Sequence, residues 1–296
     1  MKLNYVTKIE GNLKNYKRIH TKKMTTRILD GSYKSIYKGR SMNFEDIRDY
    51  VSGDDVKDID WKASARSQKL LVRQYTAEKK HNIMLVLDTN RRMLADTDKL
   101  FEKREIGLMG AGTLAYLVNQ NGDYISAAYA INMIKEGTDS TSINCTPFRT
   151  GLVHVESILQ GYYRAVNQGN NSNLDVVLDY IGKNIKRRMI IVVVTDLEGI
   201  NEIRESTLKR LLIQNDVLAI NVKSALLGGA RIFDVSRQEY LPSFFADDKR
   251  LLNMQTDSYS SMQQSCDNKL KKYAIATASI EDIENLDENI IKLLQR

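Results

Sequence analysis

The sequence has few of the residues that build cross-links and metal sites. It holds two cysteines, two prolines and three histidines in 296 residues, and Cys145 and Cys266 share no CxxC or Cys/His spacing. This argues against a disulfide framework or a zinc site and suits a reducing cytoplasm. The longest apolar runs, residues 83–87 and 189–194, are too short to cross a membrane, and residues 1–20 lack the apolar centre of a signal peptide. We therefore expect a cytoplasmic protein.

Sequence motifs of the common enzyme classes are also missing. The chain has no GxxxxGK[ST], HExxH, GxSxG or EF-hand pattern, so the usual ATPase, protease, esterase and calcium-site interpretations have no sequence support. His20, His81 and His154 are isolated, and each suits a structural or exposed position better than that of a catalytic base. Three glycines at residues 107–112 lie within a helical pattern, which favours close helix packing over a nucleotide loop.

Positive charge is concentrated in the first forty residues. Residues 1–40 contain eleven Lys or Arg against Glu10 and Asp30, a net charge of +9, whereas the formal charge of the whole chain is +7. Such a basic end suits anionic lipid, nucleic acid or an acidic partner. Its tyrosines are not spaced as a platform for stacked bases, so no nucleic-acid partner is expected. A membrane-peripheral location, through contact with anionic lipid, stays open.

Two continuous apolar runs that end in an acid, residues 82–88 and 189–196, predict strands buried on both faces. Further strands are predicted at residues 123–134, 216–222 and 273–278, and helices at residues 99–121, 152–163, 174–186, 201–214, 249–272 and 280–294. The alternation predicts an α/β fold with a doubly wound, mainly parallel sheet. We expect this domain at residues 80–296, with residues 1–79 forming a basic N-terminal extension packed on it.

The densest charge cluster of the chain surrounds its only tryptophan. Residues 45–51 predict a short helix that ends at a glycine turn, and residues 70–78 predict a strand. In one interpretation the charges form a satisfied ion-pair network that fixes a docking segment, with the tryptophan buried against the sheet domain. In the other they form a recognition surface for a partner's Arg or Lys. The candidate residues are Glu45, Arg48, Gly53, Asp54, Asp55, Asp60, Trp61 and Arg66.

The same segment resembles a known family signature. The runs FEDIRDY at residues 44–50, SGDD at 52–55 and IDWKASAR at 59–66 are similar to the signature of the bacterial domain of unknown function 58 (DUF58) family. The resemblance implies a von Willebrand factor A-like fold for residues 80–296. It also implies a non-enzymatic adaptor or chaperone factor that works with a MoxR-type AAA+ ATPase on an unknown client protein.

Two acids follow the buried strands, at the edge where doubly wound sheets bind ligands. The pattern is similar to the metal-ion-dependent adhesion site of von Willebrand A domains, which combines a DxSxS loop with a Thr and a later Asp. Residue by residue, Asp88 matches the first Asp, Asn90 and Arg92 stand at the two Ser positions, Thr150 at the Thr and Asp196 at the later Asp. Asn90 retains an oxygen for a hard cation, whereas Arg92 cannot ligate a metal.

Three interpretations of this site remain. Arg92 replaces the ion and bridges Asp88 and Asp196, so that no cofactor is needed. Alternatively, Arg92 swings out and Mg²⁺ binds Asp88, Asn90, Thr150 and Asp196 with extra waters. In the third, the two Asp residues only cap the loops that follow them. The alternative function is a metal-dependent hydrolase using the strand-end Asp residues, although the sequence supplies no nucleophile for it.

Overall fold

A computed structural model describes residues 4–19, 43–76, 80–99, 101–135, 138–168, 174–225, 233–234, 239–240 and 249–294. The chain divides into two compact units: a sheet unit, Met1–Ser32 with His81–Arg296, and a signature unit, Tyr33–Lys80. The sequence predicts a division near residue 80 that leaves the whole N-terminal part with the signature. The structure instead groups the first helix with the sheet. Most of the basic extension, residues 20–42, lies outside the described residues.

The described elements are numbered in chain order. The strands are β1 (Asn43–Asp49), β2 (Leu71–Thr76), β3 (Asn82–Leu87), β4 (Tyr124–Lys135), β5 (Thr138–Cys145), β6 (Ile190–Thr195), β7 (Asp216–Val222), β8 (Phe233–Asp234), β9 (Glu239–Tyr240) and β10 (Ala276–Ile280). The α-helices are α1 (Asn4–Ile19), α2 (Trp61–Ser67), α3 (Lys103–Gln120), α4 (Leu152–Asn167), α5 (Leu174–Asn184), α6 (Leu197–Glu202), α7 (Glu205–Leu212), α8 (Lys249–Lys272) and α9 (Leu286–Leu294).

The sheet unit is built on six strands in the order β10-β7-β6-β3-β4-β5. Of these six, β5 alone runs antiparallel to its neighbour. The chain passes from β3 outward to β4 and β5, then returns to the other side of β3 to form β6. Strand order therefore reverses between β3 and β6. The predicted α/β class with a mainly parallel central sheet is confirmed, and the arrangement is consistent with double winding.

Helices cover both faces of the sheet because β3 and β6 are apolar on both sides. On one face, Met84 and Val193 lie in a core cluster with residues of α5 and α7. On the other, α3 approaches the sheet through glycines: a Cβ at Gly107 would lie 3.5 Å from Val194, and one at Gly110 would lie 3.7 Å from Ile220. The glycines within this helix therefore serve close packing.

Helix α1 packs against α3 and α4 of the sheet unit. Its apolar residues Val6, Ile9 and Leu13 are buried, and Ile9 occupies the space that a side chain at Gly112 would need. The fully buried carboxylate of Glu156 on α4 accepts hydrogen bonds from two backbone amides in the first turn of α1, including that of Val6 at 3.0 Å. Glu156 therefore supplies the cap that helix termini require.

The long helix α8 packs on α6 within the sheet unit. Buried Cys266 contacts the cluster formed by Leu197 and Ile200, and Lys269 donates from Nζ to three backbone carbonyls near the end of α6. These bonds satisfy carbonyls that have no partner within a short helix. Among the described helices, α8 included, none is both long and apolar enough to span a membrane.

The signature unit contains an antiparallel pair, β1 and β2, that pairs Ile47 with Arg73 and Asp49 with Leu71. The helix predicted for residues 45–51 is therefore wrong, since this stretch forms β1. Pairing with a distant strand has overridden local preference, as it often does where propensity is weak. The strand predicted at residues 70–78 is present as β2. Helix α2 follows a turn and is capped by Asp60, whose carboxylate accepts from the amides of residues 62 and 63.

Candidate functional site

Two buried carboxylates meet where strand order reverses. Asp88 directly follows β3 and Asp196 directly follows β6, its parallel neighbour, and each is 1% exposed. The register pairs Leu87 with Val194, and the amide of Asp88 donates to the carbonyl of Val194 at 3.0 Å. The carboxyl ends of the two strands are therefore aligned. The structure brings Asp88 and Asp196 to one edge, as the sequence predicts.

Arg92 lies between these carboxylates. It sits in a 3₁₀ turn at residues 91–94, where the Asn90 side chain accepts from the Arg92 amide at 3.1 Å. Its Nη2 is 3.5 Å from Asp88 Oδ2, and its Nε is 3.4 Å from Asp196 Oδ1. Its shortest contact is outward, from Nη1 to Glu202 Oε1 at 2.6 Å. The guanidinium thus bridges the two strand-end acids and a carboxylate at the rim of the site.

A second cation, Lys103, completes the site and was not found by sequence reasoning. It is the first residue of α3 and only 3% exposed, and its Nζ donates to Asp196 Oδ2 and to Ser224 Oγ, both at 2.8 Å. Buried lysines are rare unless they are paired. Charge balance is the sequence signal that could have pointed to a second cation. Two carboxylates at adjacent strand ends need more neutralisation than one guanidinium supplies.

Backbone and hydroxyl donors also bond the carboxylate oxygens. Asp88 Oδ1 accepts from the Asn90 amide at 2.9 Å, and Asp88 Oδ2 accepts from the hydroxyl of Thr195 at 2.6 Å. Asp196 Oδ1 accepts from the Gly199 amide at 2.9 Å. A Cβ at Gly199 would collide with Thr195 and lie 2.9 Å from Asp88 Oδ2. Glycine is therefore required for the first turn of α6 to approach both acids.

The two acids differ in their protonation behaviour. Burial, and then the charge of Asp196, raise the pKa of Asp88 to about 6, against the opposing effects of Arg92 and Thr195. Burial alone would also raise the pKa of Asp196, but Lys103 and Arg92 hold that pKa below its usual value. Asp196 is thus the firmly ionised member of the pair, and Asp88 is the acid that gains a proton near pH 6.

Thr150 does not belong to this site. It follows β5, which runs antiparallel to its neighbour β4. The end of β5 therefore points away from the carboxyl ends of β3 and β6, where Asp88 and Asp196 lie. The adjacent residue, Arg149, forms a bridge with Ile125, which pairs with Ile83 at the start of β3. Ile83 lies five residues before Asp88 along the strand. Thr150 is therefore roughly 15–20 Å from Asp88 at the usual rise per residue. The assignment of Thr150 as a metal ligand is therefore wrong.

The donor set does not suit a divalent ion. Mg²⁺ needs near-octahedral oxygen ligands, whereas the oxygens of Asp88 and Asp196 already accept from Thr195, Lys103 and backbone amides. The Asn90 oxygen is used to begin the 3₁₀ turn. Among the described residues, no cluster of three or more His, Cys, Asp or Glu is placed to hold a metal. Arg92 and Lys103 supply the positive charge that an ion would otherwise bring.

Two ion pairs of the signature unit form between residues of the unit itself. Arg48 forms two hydrogen bonds with Asp54, at 2.7 and 2.8 Å, and Arg73 pairs with Asp60 at 2.9 Å. Asp55 caps the 3₁₀ turn at residues 56–58. The turn at Gly53 has a φ of 112°, a conformation that favours glycine. For these charges the geometry favours an internally satisfied network, and the side chain of Glu45 lies outside the described residues.

Trp61 departs from expectation. Its side chain is 63% exposed, so the prediction that Trp61 is largely buried is wrong. Helix α2 packs on β2 through Ser64, which is 8% exposed and whose hydroxyl accepts from the Leu71 amide at 2.8 Å. Trp61, at the first position of the helix, and Arg66 are both exposed.

Fold and site together define an α/β protein with a mainly parallel sheet. At the carboxyl ends of two adjacent strands it holds a pair of buried carboxylates, Asp88 and Asp196, which contact Arg92 and Lys103. The family model described as "Protein of unknown function DUF58" matches residues 46–226, and the chain belongs to this family.

The sequence is similar to three mycobacterial proteins whose names assign no function. Uncharacterised proteins of Mycobacterium bovis and Mycobacterium tuberculosis are 28% identical over 198 residues, which is 66% of this chain and 59% of theirs. The chain thus spans less than two thirds of the length of these relatives. A solved structure, the pilus adhesin SpaC of Lactobacillus rhamnosus GG, aligns with a TM-score of 0.42 and 11% identity, over 74% of this chain and 30% of the adhesin chain. A score this low does not establish a shared fold.

Proposed function

We propose that the protein is a non-enzymatic interaction module, an adaptor or chaperone factor that works with a MoxR-type AAA+ ATPase on a client protein. In this proposal the sheet unit is a von Willebrand A-like domain with a degenerate metal site. The observation that carries it is the filling of the carboxylate pair by Arg92 and Lys103. A site closed by permanent internal partners suits a structural or binding role better than turnover.

The chemistry of the cations supports this choice. A hydrolytic metal polarises its substrate and lowers the pKa of a bound water. Arg92 does neither in the same way: burial would lower its pKa, but Asp196 and Asp88 raise it, so the guanidinium keeps its proton. Lys103 donates to Asp196 and Ser224 from a buried position. These groups hold charge in place and leave no open coordination position.

A metal-dependent hydrolase is the alternative, and one observation favours it. The pKa of Asp88 is raised to about 6, a value that suits a general base near neutral pH. For this function both Arg92 and Lys103 must leave the carboxylates before a divalent ion can enter. The surrounding hydrogen bonds oppose that movement, and we therefore rank this function second.

One experiment separates the two functions. The purified chain is mixed with a purified MoxR-type ATPase and analysed by size-exclusion chromatography, and the chain alone is assayed with Mg²⁺ or Mn²⁺ on p-nitrophenyl phosphate and p-nitrophenyl acetate. The adaptor role predicts a complex and no turnover. Turnover that is lost in Asp88→Asn would establish the hydrolase instead. Failure to bind, without turnover, would remove the ATPase partnership.

A further inference from the structure

Arg92 divides its contacts unevenly within the strand-end site, by which we mean Asp88, Asp196, Arg92 and Lys103. Its Nη1 lies 2.6 Å from Glu202 Oε1 at the rim, whereas its contacts with Asp88 and Asp196 measure 3.5 and 3.4 Å. A hydrogen bond between a cation and a carboxylate is normally about 2.7–2.9 Å long. The guanidinium therefore lies closer to the rim than to the buried carboxylate pair.

This placement leaves one donor of the guanidinium without an acceptor. Arg92 Nε is buried and makes no hydrogen bond to any residue that the structure describes. A buried donor without a partner destabilises the fold. Asp196 Oδ1 would accept from Nε if the guanidinium moved inward by about half an ångström. Lys103 bonds the other oxygen, Oδ2, and would not have to move. Arg92 is thus held outward although a hydrogen bond is available on the inner side.

Glu202, which holds Arg92 outward, is the last residue of α6. Glu198 lies one turn earlier, and both glutamates contact Arg92 from the same side of the helix. A helix of six residues has little stability of its own. The position of Glu202 therefore depends on what α6 packs against.

The other side of α6 is bound to α8. Leu197 and Ile200 lie in an apolar cluster with residues of α8. Lys269 on α8 donates from Nζ to the carbonyls of residues 200, 201 and 203, at distances of 2.7, 3.0 and 3.2 Å. The carbonyls at the end of a helix have no partners within that helix. Lys269 therefore fixes the end of α6 at which Glu202 lies.

We propose that α8 controls the position of Arg92 in the strand-end site. Lys269 fixes the end of α6, α6 places Glu202, and Glu202 draws Arg92 away from the two carboxylates. Displacement of α8 releases Glu202, and Arg92 then moves inward onto Asp196. This inference rests on the proposed function, in which the protein's own cations fill the site, and it adds a means of regulating that filling. A side chain with two positions is the kind of element through which one site is coupled to another.

The Arg92 Nε–H group is the reporter for the test. The full chain is labelled with nitrogen-15 arginine, and the Arg92 signal is assigned from its absence in Arg92→Lys. Lys269→Met removes the bonds to α6, and Glu202→Gln weakens the outward contact directly. In both variants the Nε–H signal should move to higher frequency and exchange with water about tenfold more slowly or beyond, because a charge-assisted hydrogen bond to Asp196 forms. Lys271→Met, at an exposed position of α8, should leave the signal unchanged.

A double variant tests whether the two residues act in series. If Lys269 acts through Glu202, Lys269→Met/Glu202→Gln should change the Arg92 signal no more than Glu202→Gln does alone, whereas independent effects would add. Asn201→Ala removes a bond from α6 to the carbonyl of Met262 on α8 and should act in the same direction if Lys269→Met does not fold. In a crystal structure of Glu202→Gln, the distance from Arg92 Nε to the inner carboxylate should shorten to about 2.9 Å.

Four results would overturn the proposal. They are an Arg92 signal unchanged in Glu202→Gln, a signal unchanged in folded Lys269→Met or in Asn201→Ala, additive effects in the double variant, and an equal change in Lys271→Met. The measurements do not involve the ATPase. A chain that shows the coupling but does not bind the ATPase loses the proposed partnership and keeps the control by α8, whereas the reverse result removes only that control.

Discussion

The two units handle charge in different ways. In the sheet unit, Asp88, Asp196 and Lys103 are buried, and Asp196 contacts two cations, Arg92 and Lys103, that come from distant parts of the sequence. In the signature unit, ion pairs such as Arg48 with Asp54 are exposed and join residues close in sequence. The first arrangement depends on the tertiary fold, whereas the second forms within a short segment.

Burial sets the energetic weight of each arrangement. Exposed ion pairs contribute little because water and salt screen them, whereas removal of one member of a buried pair leaves a charge without compensation. The same change of charge should therefore be costly at the strand ends and nearly neutral in the signature unit. The following substitutions test that contrast.

Replacing Lys103 should have the largest effect. Lys103→Met removes the cation bonded to Asp196 and should lower the free energy of unfolding by about 3–5 kcal/mol, measured by urea unfolding near neutral pH. Lys271→Met, at an exposed position, should change it by less than about 0.5 kcal/mol. Adding Asp196→Asn to Lys103→Met should recover part of the loss. A loss below about 1 kcal/mol in Lys103→Met would show that the Asp196 contact is not important for stability.

Replacing Arg92 should change both stability and metal binding. Arg92→Ser leaves Asp88 and Asp196 with less compensation and should cost about 2–4 kcal/mol. The wild type should bind Mg²⁺ weakly or not at all, while Arg92→Ser should create or strengthen binding, and Lys103→Ser in addition should strengthen it further. Isothermal titration calorimetry decides this, with Arg91→Ser as the neighbouring control. Tight Mg²⁺ binding by the wild type would contradict the idea that Arg92 replaces the ion.

Acid should stabilise the sheet unit through Asp88. Its pKa is raised to about 6 in the folded protein, compared with about 3.9 in an unfolded chain. Stability from a raised pKa is fully present below about pH 4 and is lost as pH rises through about 6. The difference corresponds to at most about 3 kcal/mol. Asp88→Asn should flatten the unfolding free energy between about pH 4 and 7, whereas Asp257→Asn, at an exposed position, should keep the wild-type slope.

The smallest effect is expected at Trp61. Because the side chain is largely exposed, Trp61→Ala should change the free energy of unfolding by less than about 1 kcal/mol. Tyr162→Ala, at a fully buried aromatic of the sheet unit, should cost about 3–5 kcal/mol. Circular dichroism follows both unfolding transitions. A cost near that of Tyr162→Ala would contradict the exposed position of Trp61.

Much of the sheet unit could be predicted because its strands are apolar on both faces. The runs before Asp88 and Asp196 are β3 and β6, and the bounds of β7 and α8 agree with the sequence patterns. Strand β5 was missed because its sequence, TDSTSINC, is polar. The helix predicted at residues 45–51 failed for a related reason, since the pairing of β1 with β2 is a long-range contact that local preference does not report.

The part of the site that lies at the ends of strands could be predicted from the sequence. Asp88, Arg92 and Asp196 come together because two adjacent parallel strands end there. Thr150 failed because the reversed direction of β5 carries the following loop to the other edge. Lys103 lies at the start of a helix, and no spacing rule connects it to Asp196 across 93 residues. Contacts that depend on helix placement are therefore the part that sequence spacing leaves open.

The cap on α1 has a consequence for synthesis of the protein. Glu156 bonds the amide of Val6 across 150 residues of sequence, so α1 leaves the ribosome long before α4 exists. At about 5–20 residues per second, the delay is roughly 8–30 s. During that time the apolar stripe of Val6, Ile9 and Leu13 has no surface to cover it. Folding of the nascent chain should therefore remain incomplete until α4 emerges. In this interval the exposed apolar stripe of α1 is accessible to chaperones that bind basic, apolar segments.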